Sequence, residues 1–270
     1  MNYLISEILR GNWLLENPNT KIYNLIAKSI LQGNIPENKS LKAVSYLSED
    51  DDADNSVKEI NKVAVISMIG EMAKYDNCGW GAVSFVREIR KANADPNIVG
   101  IVLFIDGPGG NADAISLFQQ VKPEIQKPIV ALVDRACSLH YWIAALLADH
   151  IMLNDNFQAE VGSIGSMIVF EKPTNEIIII RPEESKDKNQ ALVEALEGKY
   201  QLLEERLSIL SQKFMKEIKE NRPKVKEEAL HGKTYLPEEA IKVGLADSIG
   251  DINKAYNLVL AKSELKKIKK

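Results

Sequence analysis

Two apolar runs of strand length, "NIVGIVLFID" (residues 97–106) and "KPIVALVD" (residues 127–134), constrain this chain more than any other feature. Both are almost wholly apolar, the pattern of strands buried on both faces, as in parallel sheets. A helical pattern follows each, "NADAISLFQQVKPEIQ" after the first and "SLHYWIAALLAD" after the second. Another, "GAVSFVREIRKANADP", precedes them and stops at Pro96. "KVAVISMIG" reads as an earlier strand from its β-branched residues. Strands alternating with helices imply an α/β domain with right-handed crossovers.

Shorter strands are expected at "HIMLN", "GSIGSMIVF" and "NEIIII". A long amphipathic helix is expected from about Gln190 to Glu220, with Leu192, Leu196, Leu203, Leu207 and Leu210 along its apolar side. Residues 1–45 carry apolar positions at helical spacing (Tyr3, Leu4, Ile8, Leu9, then Ile22, Leu25, Ile26, Ile30) and are expected to form a helical N-terminal extension. Residues 46–60, dense in like charge from Ser48 to Glu59, read as an acidic linker. The main domain is then 61–256, and residues 257–270 form a basic C-terminal helix and tail.

A net charge of -4 lacks the basic excess of a nucleic-acid-binding surface. Two cysteines, Cys78 and Cys137, are too few for a disulfide framework. No stretch reaches the roughly 18 consecutive apolar residues of a membrane span. The N-terminus lacks the basic start and apolar core of a signal peptide. These features predict a cytoplasmic protein with neither nucleic acid nor membrane as partner. The three histidines and two cysteines show no metal-ligand spacing, so neither metal nor cofactor is expected.

Chemistry concentrates at the two strand-to-helix junctions. In "FIDGPGGNADAI", Gly107, Gly109 and Gly110 let the backbone bend and leave amides uncovered. The turn has three readings. It is a plain tight turn; or a dinucleotide fingerprint, since Gly107, Gly109 and Ala112 fit G-x-G-x-x-A and Asp134 ends the next strand; or an oxyanion hole, with the Gly110 N–H as one donor. Pro108 inside the turn, and a strand and helix before it, weigh against the second. At the other junction Ser138 is either a helix cap or a nucleophile, in which case the following amide supplies a second donor. His140 lies two residues along the helix, about 200° around its axis, and points away from Ser138.

The blocks "KVAVISMIGEM", "DPNIVGIVLFIDGPGG", "ACSLHYWIA", "ADHI", "GSIG" and "GLADSIGD", in this order, resemble the signal peptide peptidase A (protease IV) serine peptidases of the Clp protease and crotonase superfamily. The resemblance covers roughly Val63 to Tyr256. "ILRGNWLLENPN" and "SKDKNQALVEALEGKY" are similar to the prophage-encoded branch, whose phage members are associated with capsid maturation. The resemblance implies a spiral of β-β-α units and a Ser–Lys dyad. Ser138 matches the nucleophile, Gly110 and the Leu139 amide match the oxyanion donors, and Ser163 matches a serine that supports the lysine. Lys186 and Lys188 compete for the base, and Lys188 fits the prophage pattern better. Peptide or protein substrates, a homo-oligomer, and phage capsid or scaffold partners follow from the same resemblance. Leu139 and His140 stand where many relatives carry two glycines, so an inactive structural protein of a phage particle is the alternative expectation.

Overall fold

A computed structural model describes residues 13–15, 32, 44–48, 61–76, 81–168 and 178–268. In chain order its elements begin with β1 (Trp13–Leu15), β2 (Val44–Leu47), β3 (Lys62–Ile69), α1 (Ala82–Ala94), β4 (Ile98–Gly107), β5 (Gly109–Asn111), α2 (Ile115–Val121) and β6 (Ile129–Cys137). They continue with α3 (Leu139–Leu147), β7 (His150–Leu153), β8 (Glu160–Gly162), α4 (Gln190–Leu196), α5 (Gln201–Asn221), β9 (Thr234–Tyr235), α6 (Pro237–Lys242), β10 (Ser248–Ile249) and α7 (Ile252–Ile268).

The principal sheet has the order β10-β7-β6-β4-β3-β2. Its members from β3 to β10 pair in parallel, and β2 closes one edge antiparallel. Side chains alternate between two buried faces, which explains why the strands read as continuous apolar runs. Ala64, Ile66, Leu103, Ile105, Ala131 and Val133 join the cluster under α1, α2 and α3. Val63, Val65, Val102, Val130 and Leu132 face Ala255 and Val259 of α7. Each such Val or Leu contributes about 1.5–3 kcal/mol on burial.

β6 forks the sheet. Val130–Val133 pair with β7, whereas Arg135–Cys137 pair with β8, which continues antiparallel to β9. This fork sets a second short ribbon, β8 and β9, beside the C-terminal end of β6 within the α/β architecture that the resemblance implies.

Several expectations need correction. Tyr46 and Leu47, expected in the acidic linker, belong to β2, because "VSYL" finds β3 as a partner. Within the expected helical extension, Trp13–Leu15 form a strand paired with β5; most of 1–45, and 49–60, lie outside the described residues. Of the strand expected at "GSIGSMIVF", only Gly162 is in one, Glu160–Gly162; residues 163–168 form none, and Ile178–Ile180 of "NEIIII" have no strand and are 78%, 44% and 89% exposed, while 169–177 lie outside the described residues. The single helix over 190–220 is two, α4 and α5, separated around Gly198, whose φ of 87° is left-handed. The boundary at 256/257 falls inside α7. That helix is a covering layer of the domain rather than a tail, because Ala255, Val259 and Ser263 recur at its buried face.

Candidate active site

β4 and β6 are neighbours that end together, with Gly107 paired to Ala136. Ligands of open α/β sheets bind beyond such carboxyl ends. Past Gly107 the chain turns through Pro108 into β5; past Cys137 it turns at Ser138 into α3.

Ser138 has φ 53° and ψ -119°, a conformation that costs a non-glycine residue strain. Two backbone bonds hold it there. Its N–H donates to the Gly162 carbonyl at 2.9 Å, and its own carbonyl accepts from Trp142 N–H at 3.0 Å, opening α3. Its side chain does not cap the helix, so the plain capping role is not the one adopted. The Leu139 N–H is in the first turn of α3, where amides have no helical acceptor and the helix end carries partial positive charge. Every residue of α3 is buried, which suits a helix apolar all round.

Ser163 stands in the equivalent place on β8. Cys137 is paired with Gly162, so Ser138 and Ser163 each follow one member of that pair. Ser163 too has a positive φ, 54°, and its N–H donates to the Lys233 carbonyl at 3.0 Å.

Gly109–Asn111 form a strand rather than an open loop. Met72 N–H donates to the Gly109 carbonyl at 2.9 Å, and Asn111 N–H to the Met72 carbonyl at 2.8 Å. A Cβ on Gly110 would collide with the Met72 carbonyl, which fixes glycine there. Gly109 N–H donates to His140 Nδ1 at 3.0 Å. His140 is fully buried, and burial pushes its pKa down to about 4, so the ring is neutral at pH 7. Its Nε2 is buried with no hydrogen-bond partner. His140 therefore pins the glycine turn and does not address Ser138. Its spacing from Ser138 shows where the ring does not point, and nothing local in the sequence shows that it turns to Gly109. Met72 was missed too, although Gly70, with φ 84°, marks the bend before it.

Two of the turn's amides, Gly109 and Asn111, are thus committed to His140 and Met72, which leaves Gly110 alone of these three and not the row of free amides a pyrophosphate cradle needs. Asp134, the ribose-binding candidate of the dinucleotide reading, accepts instead from Asn154 Nδ2 at 2.6 Å.

The lysines are not brought to the serines. Lys186 and Lys188 are exposed. Lys186 pairs with Glu183 at 3.7 Å, and the Lys188 carbonyl accepts from Arg181 Nη1 at 2.9 Å. Neither hydrogen-bonds Ser138 or Ser163.

Beside the turn, a cavity of about 450 Å³ opens between α2 and α5, with Ala112, Asp113, Trp142, Leu210 and Glu217 in its wall. Trp142 stacks on Phe214 of α5, ring centroids 4.3 Å apart, and its Nε1 donates to Glu217. Elsewhere His150 Nε2 lies 2.7 Å from Ser248 Oγ, but Asp247 is 3.9 Å from His150 Nδ1 and is engaged by Arg222 at 2.8 Å and by Ile151 N–H. That cluster ties β7 to β10. Among the described residues no group of three His, Cys, Asp or Glu side chains is placed to hold a metal ion, and no helix is long and apolar enough to cross a membrane.

Residues 122–267, more than half of the chain, match Peptidase family S49. The matched span includes Ser138, Ser163, Lys186 and Lys188 and begins after Gly110. Over 214 residues the chain is 28% identical to Protease 4 of Haemophilus influenzae (strain ATCC 51907 / DSM 11121 / KW20 / Rd), covering 73% of this chain and 34% of that protein. The chain thus spans about a third of the length of that curated relative. Among solved structures, two mutants of the 1510-N membrane-bound stomatin-specific protease are similar at 23% identity. One, in complex with a substrate peptide, gives a TM-score of 0.41 over 72% of this chain and 78% of that chain. The other gives 0.43 over 76% and 84%.

Proposed function

The chain belongs to Peptidase family S49, and from that premise we propose that it is a serine endopeptidase with Ser138 as nucleophile and Lys188 as general base. The observation that carries the reading is the backbone of Ser138: held at φ 53° beyond the end of β6, with no capping bond, at the mouth of a buried helix. In this reading the neutral Lys188 amine takes the Ser138 hydroxyl proton as Oγ attacks the peptide carbonyl. Gly110 and Leu139 N–H groups stabilise the oxyanion, and loss of one such donor costs about 100-fold or more in rate. The lysine then gives its proton to the leaving amine, and afterwards takes one from the water that releases the acyl group. Ser163 holds the lysine in place.

A lysine works as a base at neutral pH only when burial or nearby positive charge depresses its pKa. Lys186 and Lys188 are exposed in a single chain, so the reading requires substrate or a neighbouring subunit of a homo-oligomer to cover the one that acts. The finer assignment is a prophage-type, cytoplasmic enzyme linked to capsid maturation or to cleavage of small peptides; its prophage part rests on the similarity of residues 8–19 and 185–200 to that branch. The same exposed lysines, with bulky Leu139 and His140 after the serine, favour a second reading: an inactive structural protein of a phage particle.

The test is casein hydrolysis and fluorophosphonate labelling by wild type, Ser138→Ala, Lys186→Ala and Lys188→Ala. The dyad reading expects loss in Ser138→Ala and Lys188→Ala, with Lys186→Ala active. Loss in Lys186→Ala alone moves the base there. A wild type that neither cleaves nor labels leaves the structural reading.

A further inference from the structure

Strand β1 lies on β5, antiparallel, with Trp13 opposite Asn111, Leu14 opposite Gly110 and Leu15 opposite Gly109. The hydrogen-bonding sides of β5 are settled by its other partners. Successive residues of a strand turn their N–H and C=O groups to opposite edges. Gly109 uses its N–H on His140 and its carbonyl on Met72 N–H, and Asn111 uses its N–H on the Met72 carbonyl. Those two residues therefore face Met72 and His140. Gly110 faces the other edge, where Leu14 stands directly opposite, which makes Leu14 and Gly110 the hydrogen-bonded pair of this short ladder.

The Gly110 N–H is the donor that the peptidase reading assigns to the oxyanion. One N–H cannot serve the Leu14 carbonyl and a tetrahedral intermediate together. An extended peptide adding a strand to this edge of β5 would also need the place that residues 13–15 occupy.

We infer that Trp13–Leu15 is an intramolecular pseudosubstrate: it fills the peptide-accepting edge of β5 in cis, masks the Gly110 donor, and must leave before substrate can be attacked. The inference rests on the reading of Gly110 as an oxyanion donor. A ladder of only three residue pairs suits the role, since it is small enough to be exchanged for a longer peptide strand.

The experiment uses the full chain with two alterations of the ladder. Leu14→Pro removes the N–H that faces Gly110 and fixes φ; the expected result is a fluorophosphonate labelling rate at Ser138 raised about tenfold, equivalent to about 1.4 kcal/mol of masking. Hydrogen exchange is read on the same samples, with the Gly110 amide protected in wild type and exposed in Leu14→Pro. In the second alteration Trp13→Cys and Asn111→Cys, a directly opposed pair, are oxidised to lock the strand. Labelling then falls, and reduction of the same sample restores it, so misfolding cannot imitate the result. Equal labelling of wild type and Leu14→Pro, both abolished by Ser138→Ala, overturns the pseudosubstrate and leaves the nucleophile standing. Free exchange of the Gly110 amide in wild type overturns it as well. If no form labels in any state, the Ser138 reading falls and the masking role falls with it.

Discussion

His140 shows how one residue can be adjacent to a candidate nucleophile and serve something else. Its Nδ1 holds the Gly109 N–H, so His140→Ala leaves a buried amide unpaired beside Gly110. The expected outcome is a kcat lowered about tenfold with KM little changed, and partial recovery in His140→Asn, whose amide oxygen can also accept; this is part of the oxyanion effect, below the full loss of a donor. The ring also makes stability depend on pH. Its folded pKa, about 4, is below the unfolded value of about 6.5. Between these values the unfolded chain binds a proton that the folded chain refuses. The stabilisation is complete above pH 6.5 and lost as pH falls toward 4, about 3 kcal/mol in all. Melting curves of wild type and His140→Asn at pH 7 and pH 4.5 check this: the Tm of the wild type should fall further than that of the variant, and parallel losses would dismiss the ring as the cause.

Among elements, the contact that most directly braces the site is α5 against α3. Trp142, four residues after Ser138, stacks on Phe214, which is itself fully buried. Phe214→Ala should cost about 3–5 kcal/mol, read as a lower urea midpoint. Because Trp142 shares the first turns of α3 with Ser138, labelling at Ser138 should slow as well. Little of this bracing could be read in advance. β3, β4 and β6 were legible because burial on both faces writes itself into composition, and the two junctions at Gly107–Gly110 and Ser138 followed from them. "NEIIII" misled because an apolar run says nothing about whether a partner strand exists; Ile178–Ile180 are exposed without one. The pairing of Trp13–Leu15 with Gly109–Asn111 was hidden for a related reason: register between distant segments leaves no periodic trace. Ser138 and Ser163 were legible as residue types, but their common positive φ belongs to the β6–β8 register.

At the scale of the whole molecule, α7 decides whether the sheet has two dry faces or one. Val63, Val102, Val130 and Leu132 are covered by it, and Gly100 leaves the space that Val259 fills. Ending the chain after Tyr256 removes Val259 and Ser263 from that face. The truncated protein should bind a hydrophobic dye and lose its cooperative melt, whereas a truncation after Glu264, which retains Val259 and Ser263, should melt cooperatively and bind no dye. An unchanged melt in the shorter form would mean that the helix is an appendage after all.

The fork of β6 has a consequence for the order in which the chain is made. Ser138 owes its backbone to Gly162, and Gly162 is paired in turn with Thr234 of β9. Chains fold from the N-terminus as they emerge from the ribosome. Until residues 162 and 234 have been made, Ser138 is present as an ordinary serine on an incomplete shelf. The stretch around residue 234 acts as a timer: until it has emerged and paired, the backbone that sets Ser138 apart is not yet in place.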